Sequence, residues 1–137
     1  LRIDGEPVDP SRSYSYKGLM LSDIPNLAVT FGYTNASWTL KADLTAAYVC
    51  RLLNAMRRRG LRQCTPRLAQ TMEELPFLDF NSGYVLRAKD QLPRRGTRGP
   101  WRVNQNYLKD IIAMRFGSVD DQMEFSNPVP EGSADRA

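Results

Sequence analysis

The chain has 137 residues, 42% hydrophobic and 25% charged, with a net charge of +4, the size and balance of one globular domain. No apolar run approaches the roughly 20 residues needed to span a bilayer, and residues 1–12 carry Asp4, Glu6 and Asp9 where an export signal needs an apolar core, so a cytoplasmic chain is expected. There is no histidine and only two cysteines, Cys50 and Cys64, which excludes Ser-His and Cys-His nucleophile pairs, histidine shuttles and a disulfide scaffold, and no metal site is expected.

In "IDGEPVDP" the pair Asp4-Gly5 signals a two-residue turn between short segments. After Leu19-Met20-Leu21, "SDIPN" predicts a turn centred on Pro25-Asn26. Residues 27–31, "LAVTF", are the best strand candidate, and their lack of strict alternation predicts burial on both faces, as in a parallel sheet. Gly32 ends that strand. A loop over residues 33–37 follows, and the spacing of apolar residues at 40, 44, 47, 48, 52, 55 and 56 predicts a helix over 38–59. Ser37 is placed to cap it, three arginines fill its last turn and Gly60 stands where a left-handed stop belongs. On that face Cys50 is expected to be a buried, inert thiol.

Beyond Gly60, Thr65-Pro66 reads as a helix start, and Thr71 with Glu74 as a capping box for one short helix before Pro76. Ser82 would cap another helix over about 83–91, and "RRGTRGP" is a basic loop. A last helix over about 104–115 sets Tyr107, Leu108, Ile111 and Ile112 on one side, with Trp101 and Tyr107 anchoring it. Asp120 and Asp121 fit a turn, and residues 126–137 have the polar, Pro/Gly-rich composition of a disordered tail. The clusters at Arg57, Arg58, Arg59, Arg62 and Arg67, and at Arg94, Arg95, Arg98 and Arg102, suit either a solvated surface or an acidic partner; with little aromatic interleaving, nucleic acid is not expected.

A strand that runs through a loop into a helix start is suited to an anion or cofactor, because the first helical N–H groups lack intrahelical partners and lie at the positive end of the dipole. A flavin would collect negative charge at its pyrimidine edge on reduction, which N–H groups of Trp38, Thr39 and Leu40 could stabilise without a titratable side chain. A capped helix after a strand is also commonplace, and Tyr33 and Trp38 also suit a core.

"YKGLMLSDIPNLAVTFGYTNASWTLKADLTAAYVCRLLNAM" and "PFLDFNSGYVLRAKDQLPRRGTRGPWRVNQNYLKDIIAMRFGSVDD" closely resemble the C-terminal portion of NADPH-dependent, FAD-containing class B monooxygenases of the bacterial flavin-containing and Baeyer-Villiger type. The resemblance spans about residues 16–121, and "GYTNASWTLKADL" is its most specific part. It implies an α/β flavoprotein with two dinucleotide-binding domains, of which this chain is a mostly helical C-terminal fragment. Residues 1–60 would supply the last strand, flavin-facing loop and helix of the FAD domain, 61–125 a helical extension and 126–137 the tail. The glycine-rich motifs that hold FAD and NADPH in such enzymes do not occur here, so a missing N-terminal region is implied, and the chain's start at Leu1 also suggests a fragment.

The resemblance further implies use of NADPH and O2 to oxygenate ketones or soft sulfur and nitrogen centres of a small substrate. Thr39 and Leu40 would meet the flavin by backbone N–H, while Asn35, Ser37 and Trp38 form the loop beside it or the adjoining substrate wall. No catalytic residue is assigned within the chain, since the arginine such enzymes place near the reacting oxygen is expected upstream. Two other classes stay open: a non-catalytic basic binding module and a decayed enzyme remnant.

Overall fold

The computed structural model describes residues 1–32, 36–76 and 91–129, and among these the elements are one long helix, a short C-terminal helix and four two-stranded antiparallel ladders. The first hairpin pairs β1 (Arg2–Ile3) with β2 (Glu6–Pro7), turning at Asp4 and Gly5 with φ of 50° and 86°. Two consecutive left-handed residues match the twist of a tight hairpin, which is why Asp-Gly stands there. β3 (Ser15–Tyr16) pairs with β4 (Met20–Leu21), and all four of these residues are buried.

Residues 27–31 do not form the predicted strand. Their backbone lies in no ladder, and exposure alternates, with Leu27, Val29 and Phe31 half-buried and Ala28 and Thr30 exposed. Val29 N–H donates to the Leu19 carbonyl at 2.7 Å. Ladder partners on both sides, which burial of both faces presupposes, are not supplied by the described residues.

α1 spans Trp38–Arg59, the predicted bounds. Its buried stripe is Lys41, Leu44, Thr45, Tyr48, Leu52, Ala55 and Met56, one face at helical spacing. Cys50 lies about 200° round from Tyr48 at 100° per residue and is exposed, contrary to the expectation of burial; Cys64 is the buried thiol, and burial raises its pKa. Gly60 closes the helix in the left-handed conformation (φ 66°), and its N–H and that of Leu61 bond back to the Arg57 and Met56 carbonyls.

The segment after Gly60 turns to strand, not helix. β5 (Gln63–Pro66) pairs with β8 (Met123–Ser126) in the register Gln63↔Ser126 to Pro66↔Met123. Neither the Thr65-Pro66 helix start nor the capping box at Thr71 materialises, since residues 67–74 are irregular and β6 (Leu75–Pro76) pairs with β7 (Arg94–Arg95). In β5 the Pro66 ring needs no donor on its free side, so a proline is tolerated at a strand end as well as at a helix start. The helix predicted over 83–91 lies almost wholly outside the described residues. The last helix is shorter than predicted: α2 (Tyr107–Ile111) continues into one π-helical turn, Ile112–Phe116. Arg51 ends it by donating to the Met114 and Gly117 carbonyls at 2.6 and 2.7 Å. Leu108 and Ile112 are exposed rather than packed.

The core gathers Tyr14, Tyr16, Leu19, Met20, Leu44, Tyr48, Leu52, Met56, Met114 and Met123 around a fully buried Trp101. Tyr14 and Tyr16 meet the indole edge-on, and its Nε1–H donates to Gln122 Oε1 at 2.7 Å. No helix among the described residues is long and apolar enough to cross a membrane.

Candidate functional site

The N-terminal end of α1 is built as the sequence predicts and left open. Ser37 has extended dihedrals (φ −61°, ψ 135°), and its Oγ accepts from Thr39 N–H at 3.3 Å while lying 2.6 Å from Thr39 Oγ1. Leu40 N–H reaches the Ser37 carbonyl, also at 3.3 Å. Both bonds are long against the usual N–H···O distance of about 2.9–3.0 Å. The two N–H groups proposed for a flavin edge are therefore held by Ser37 here, and held loosely.

Ser37, Trp38, Thr39 and Leu40 are all exposed, Trp38 at 63% and Leu40 at 36%. A Trp this open is unusual, since its apolar area makes burial favourable. One face of the indole is nonetheless seated, because Gly32 packs so closely beneath it that a Cβ there would collide with the ring. Gly32 is thus where it is for close approach to Trp38 rather than for an unusual φ. Asn35 lies outside the described residues, as does Tyr33.

The first turn is tied to the rest of the fold by a side chain that sequence reading missed. Lys41 Nζ donates to Asp110 Oδ2 of α2 at 2.7 Å, with each side chain about 4% exposed. A lysine in the first turn is opposed by the helix dipole, and its burial is tolerated only with a carboxylate partner. The sequence shows only that Lys41 follows Leu40 and that Asp110 precedes the apolar pair Ile111-Ile112. What it does not carry is that Lys41 and Asp110 meet. At the rim the Arg115 guanidinium and Asp43 add an exposed ion pair at 2.8 Å.

The arginine clusters are partly spent on ion pairs. Arg59 meets Asp120, Arg67 meets both Asp23 and Glu124, and Arg94 meets Glu74, all at half-exposed positions. Among the described residues no group of three or more His, Cys, Asp or Glu is arranged to hold a metal ion.

No family model and no solved structure match the chain. Curated relatives do. The FAD-containing monooxygenase EthA of Mycobacterium tuberculosis is 53% identical over 133 residues, covering 95% of this chain and 27% of the relative. The probable FAD-binding monooxygenase AlmA of Acinetobacter baylyi is 46% identical over 121 residues, 87% of this chain and 24% of its own length. The putative FAD-containing monooxygenase MymA of M. tuberculosis is 45% identical over 123 residues, 88% of this chain and 25% of its own. The chain therefore spans about a quarter of the relatives it matches. Identity at this level along nearly the whole chain makes it similar to a C-terminal portion of these FAD-containing monooxygenases.

Proposed function

We propose that this chain supplies the flavin-ring-facing turn of an FAD-dependent monooxygenase that uses NADPH and O2 to oxygenate ketones or soft sulfur or nitrogen centres in the cytoplasm. Residues 1–60 complete an FAD-binding domain, 61–125 extend it and 126–137 form its tail. An N-terminal region holds the FAD diphosphate and the NADPH, and without it the chain is inactive. The observation that carries this reading is the open N-terminal end of α1, with Trp38 and Leu40 exposed in a chain whose relatives carry FAD in their names.

The residues present fit one edge of a flavin. Thr39 and Leu40 offer N–H groups whose Ser37 bonds are long enough to yield to a better acceptor, at the positive end of a 22-residue helix. Trp38 and Leu40 offer apolar area beside them, with Asn35 and Ser37 completing the loop or the neighbouring substrate wall. When bound, FAD supplies the oxygen-activating chemistry. This chain's part is to orient the ring edge, favour negative charge there through fixed dipoles, and exclude water with Trp38. The Lys41–Asp110 pair holds the turn against α2 so that those dipoles are preorganised.

The test is a graft: the chain replaces the matching C-terminal quarter of the M. tuberculosis relative EthA, and the purified chimera is assayed for bound FAD and for NADPH-dependent oxygenation of a thioether and a ketone. Stoichiometric FAD with turnover is the expected result, and the chain alone binds none. A chimera that folds, retains FAD and oxygenates nothing overturns the proposed activity.

A further inference from the structure

The helix that carries Asp110 has an outer side that the flavin reading leaves unused. Leu108, Ile112 and Phe116 stand at i, i+4 and i+8 along α2 and its π-helical turn, and they are 70%, 66% and 77% exposed. Four residues advance about 40° round an α-helix, so Leu108 and Ile112 share one side, and the wider π turn carries Phe116 on in the same row. Met114, midway between the last two, goes the other way into the core. Single exposed apolar residues need no explanation, whereas a row of large ones marks an interaction site.

The row is ordered without being buried. At its start Asn106 accepts from Lys109 N–H at 3.1 Å, and Asp110 is fixed against Lys41. At its end Gly117 N–H closes the π turn on the Ile112 carbonyl at 3.0 Å, and Arg51 holds the Met114 and Gly117 carbonyls. A Cβ at Gly117 would collide with the Ala113 carbonyl, so the turn depends on glycine there. Single π turns of this kind concentrate at functional sites, and a row held rigid before it meets a partner loses little entropy on docking.

The width of the row and the length of the relatives point to its occupant. It is one side chain wide, with the exposed Lys109 and Arg115 next to it in sequence, the form of a helix that lays i and i+4 anchors into a protein groove. A lipid surface takes a broader apolar face. The chain covers 27% of the EthA relative, so most of that relative's length lies outside the matched part. We propose that Leu108, Ile112 and Phe116 dock α2 into an apolar groove of the enzyme's N-terminal region. This rests on the reading of the chain as the C-terminal part of a larger flavoprotein, and it adds the surface by which the two parts join.

Cysteine labelling in the EthA chimera and in the chain alone tests it. Ile112→Cys and Phe116→Cys are made singly, and alkylation by N-ethylmaleimide is followed at each by peptide mass spectrometry, relative to the same protein unfolded in urea. Both positions are exposed, so the substitutions leave the fold intact. Labelling about tenfold slower in the chimera than in the chain alone is expected at both positions, and less than about threefold slowing at either overturns the proposal. Slow labelling of the chain alone that speeds up on dilution assigns the row to a second copy, and slowing only on phosphatidylglycerol vesicles assigns it to a lipid surface; either overturns it. Turnover is read separately. A chimera with protected cysteines and no oxygenation upholds the docking and overturns the proposed activity, an active chimera with unprotected cysteines overturns the docking alone, and a chimera that does not fold overturns both.

Discussion

The two tryptophans are held in opposite ways. Trp101 is completely buried, flanked by two tyrosine rings and hydrogen-bonded through its indole N–H. Trp38 is 63% exposed, seated on one face against Gly32 and open on the rest. At the far end of α1 from Trp38 the chain likewise satisfies itself: β5 and β8 pair, Gly60 closes α1, and Asn127 Nδ2 donates to the Gly60 carbonyl. Beside Trp38, Leu40 is also exposed and the N–H groups of Thr39 and Leu40 are loosely held, which the proposed reading explains by a flavin edge seated there. One region reports on folding and the other, on that reading, on function.

Breaking the comparison at the folded side should have the largest effect. Trp101→Ala is expected to cost about 3–5 kcal/mol in urea unfolding, through lost transfer energy and a cavity. Lys41→Met removes the partner of a buried carboxylate and is expected to cost about 3 kcal/mol, whereas the double change Lys41→Met/Asp110→Leu should recover most of it. Recovery would show that the pair sets geometry more than stability.

Gly60→Ala forces a side chain into the left-handed region and should cost about 1–2 kcal/mol, read in the same unfolding series. Ser37→Ala, at the open end, should cost about 1 kcal/mol as a lost cap. Trp38→Ala should fall within about 0.5 kcal/mol of the parent, as for other exposed positions. A large cost at Trp38 would erase the contrast between the regions.

A pH series sharpens the same contrast. Burial pushes the Tyr48 hydroxyl up to about 12 and raises Tyr16 further still. Phenols ionise in the unfolded chain near pH 10, so the stability tied to these two is fully present below about pH 10 and lost as pH rises from there through about 12. Absorbance at 295 nm should show their ionisation coinciding with loss of helix by circular dichroism.

Legibility followed the range of the interactions. The whole of α1 could be read, both caps included, because periodicity, Ser37, the terminal arginines and Gly60 all act within a few residues. The Asp4-Gly5 turn is equally local. The β5–β8 ladder could not be read, since it joins two four-residue pieces about sixty positions apart, one disguised by Thr65-Pro66 and the other ending at the edge of a polar tail. The tail's first residues are accordingly structured: Ser126 ends β8 and Asn127 Oδ1 accepts from Arg62 N–H. For residues 27–31, composition indicated a doubly buried strand, and the described chain gives it no ladder. At the candidate site, the position of Ser37, Trp38, Thr39 and Leu40 at the start of α1 was legible from the loop-to-helix pattern, and their role toward a flavin is the proposal. Lys41 was not, because a buried lysine declares itself only when its carboxylate is seen to cross from another helix.

The most direct test of the central claim is amide hydrogen exchange along α1, measured in the chimera with and without FAD. The account predicts that FAD slows exchange at Trp38, Thr39 and Leu40 by about tenfold or more, while residues 52–59 at the closed end do not change. Stoichiometric FAD with unchanged exchange at residues 38–40 would contradict it.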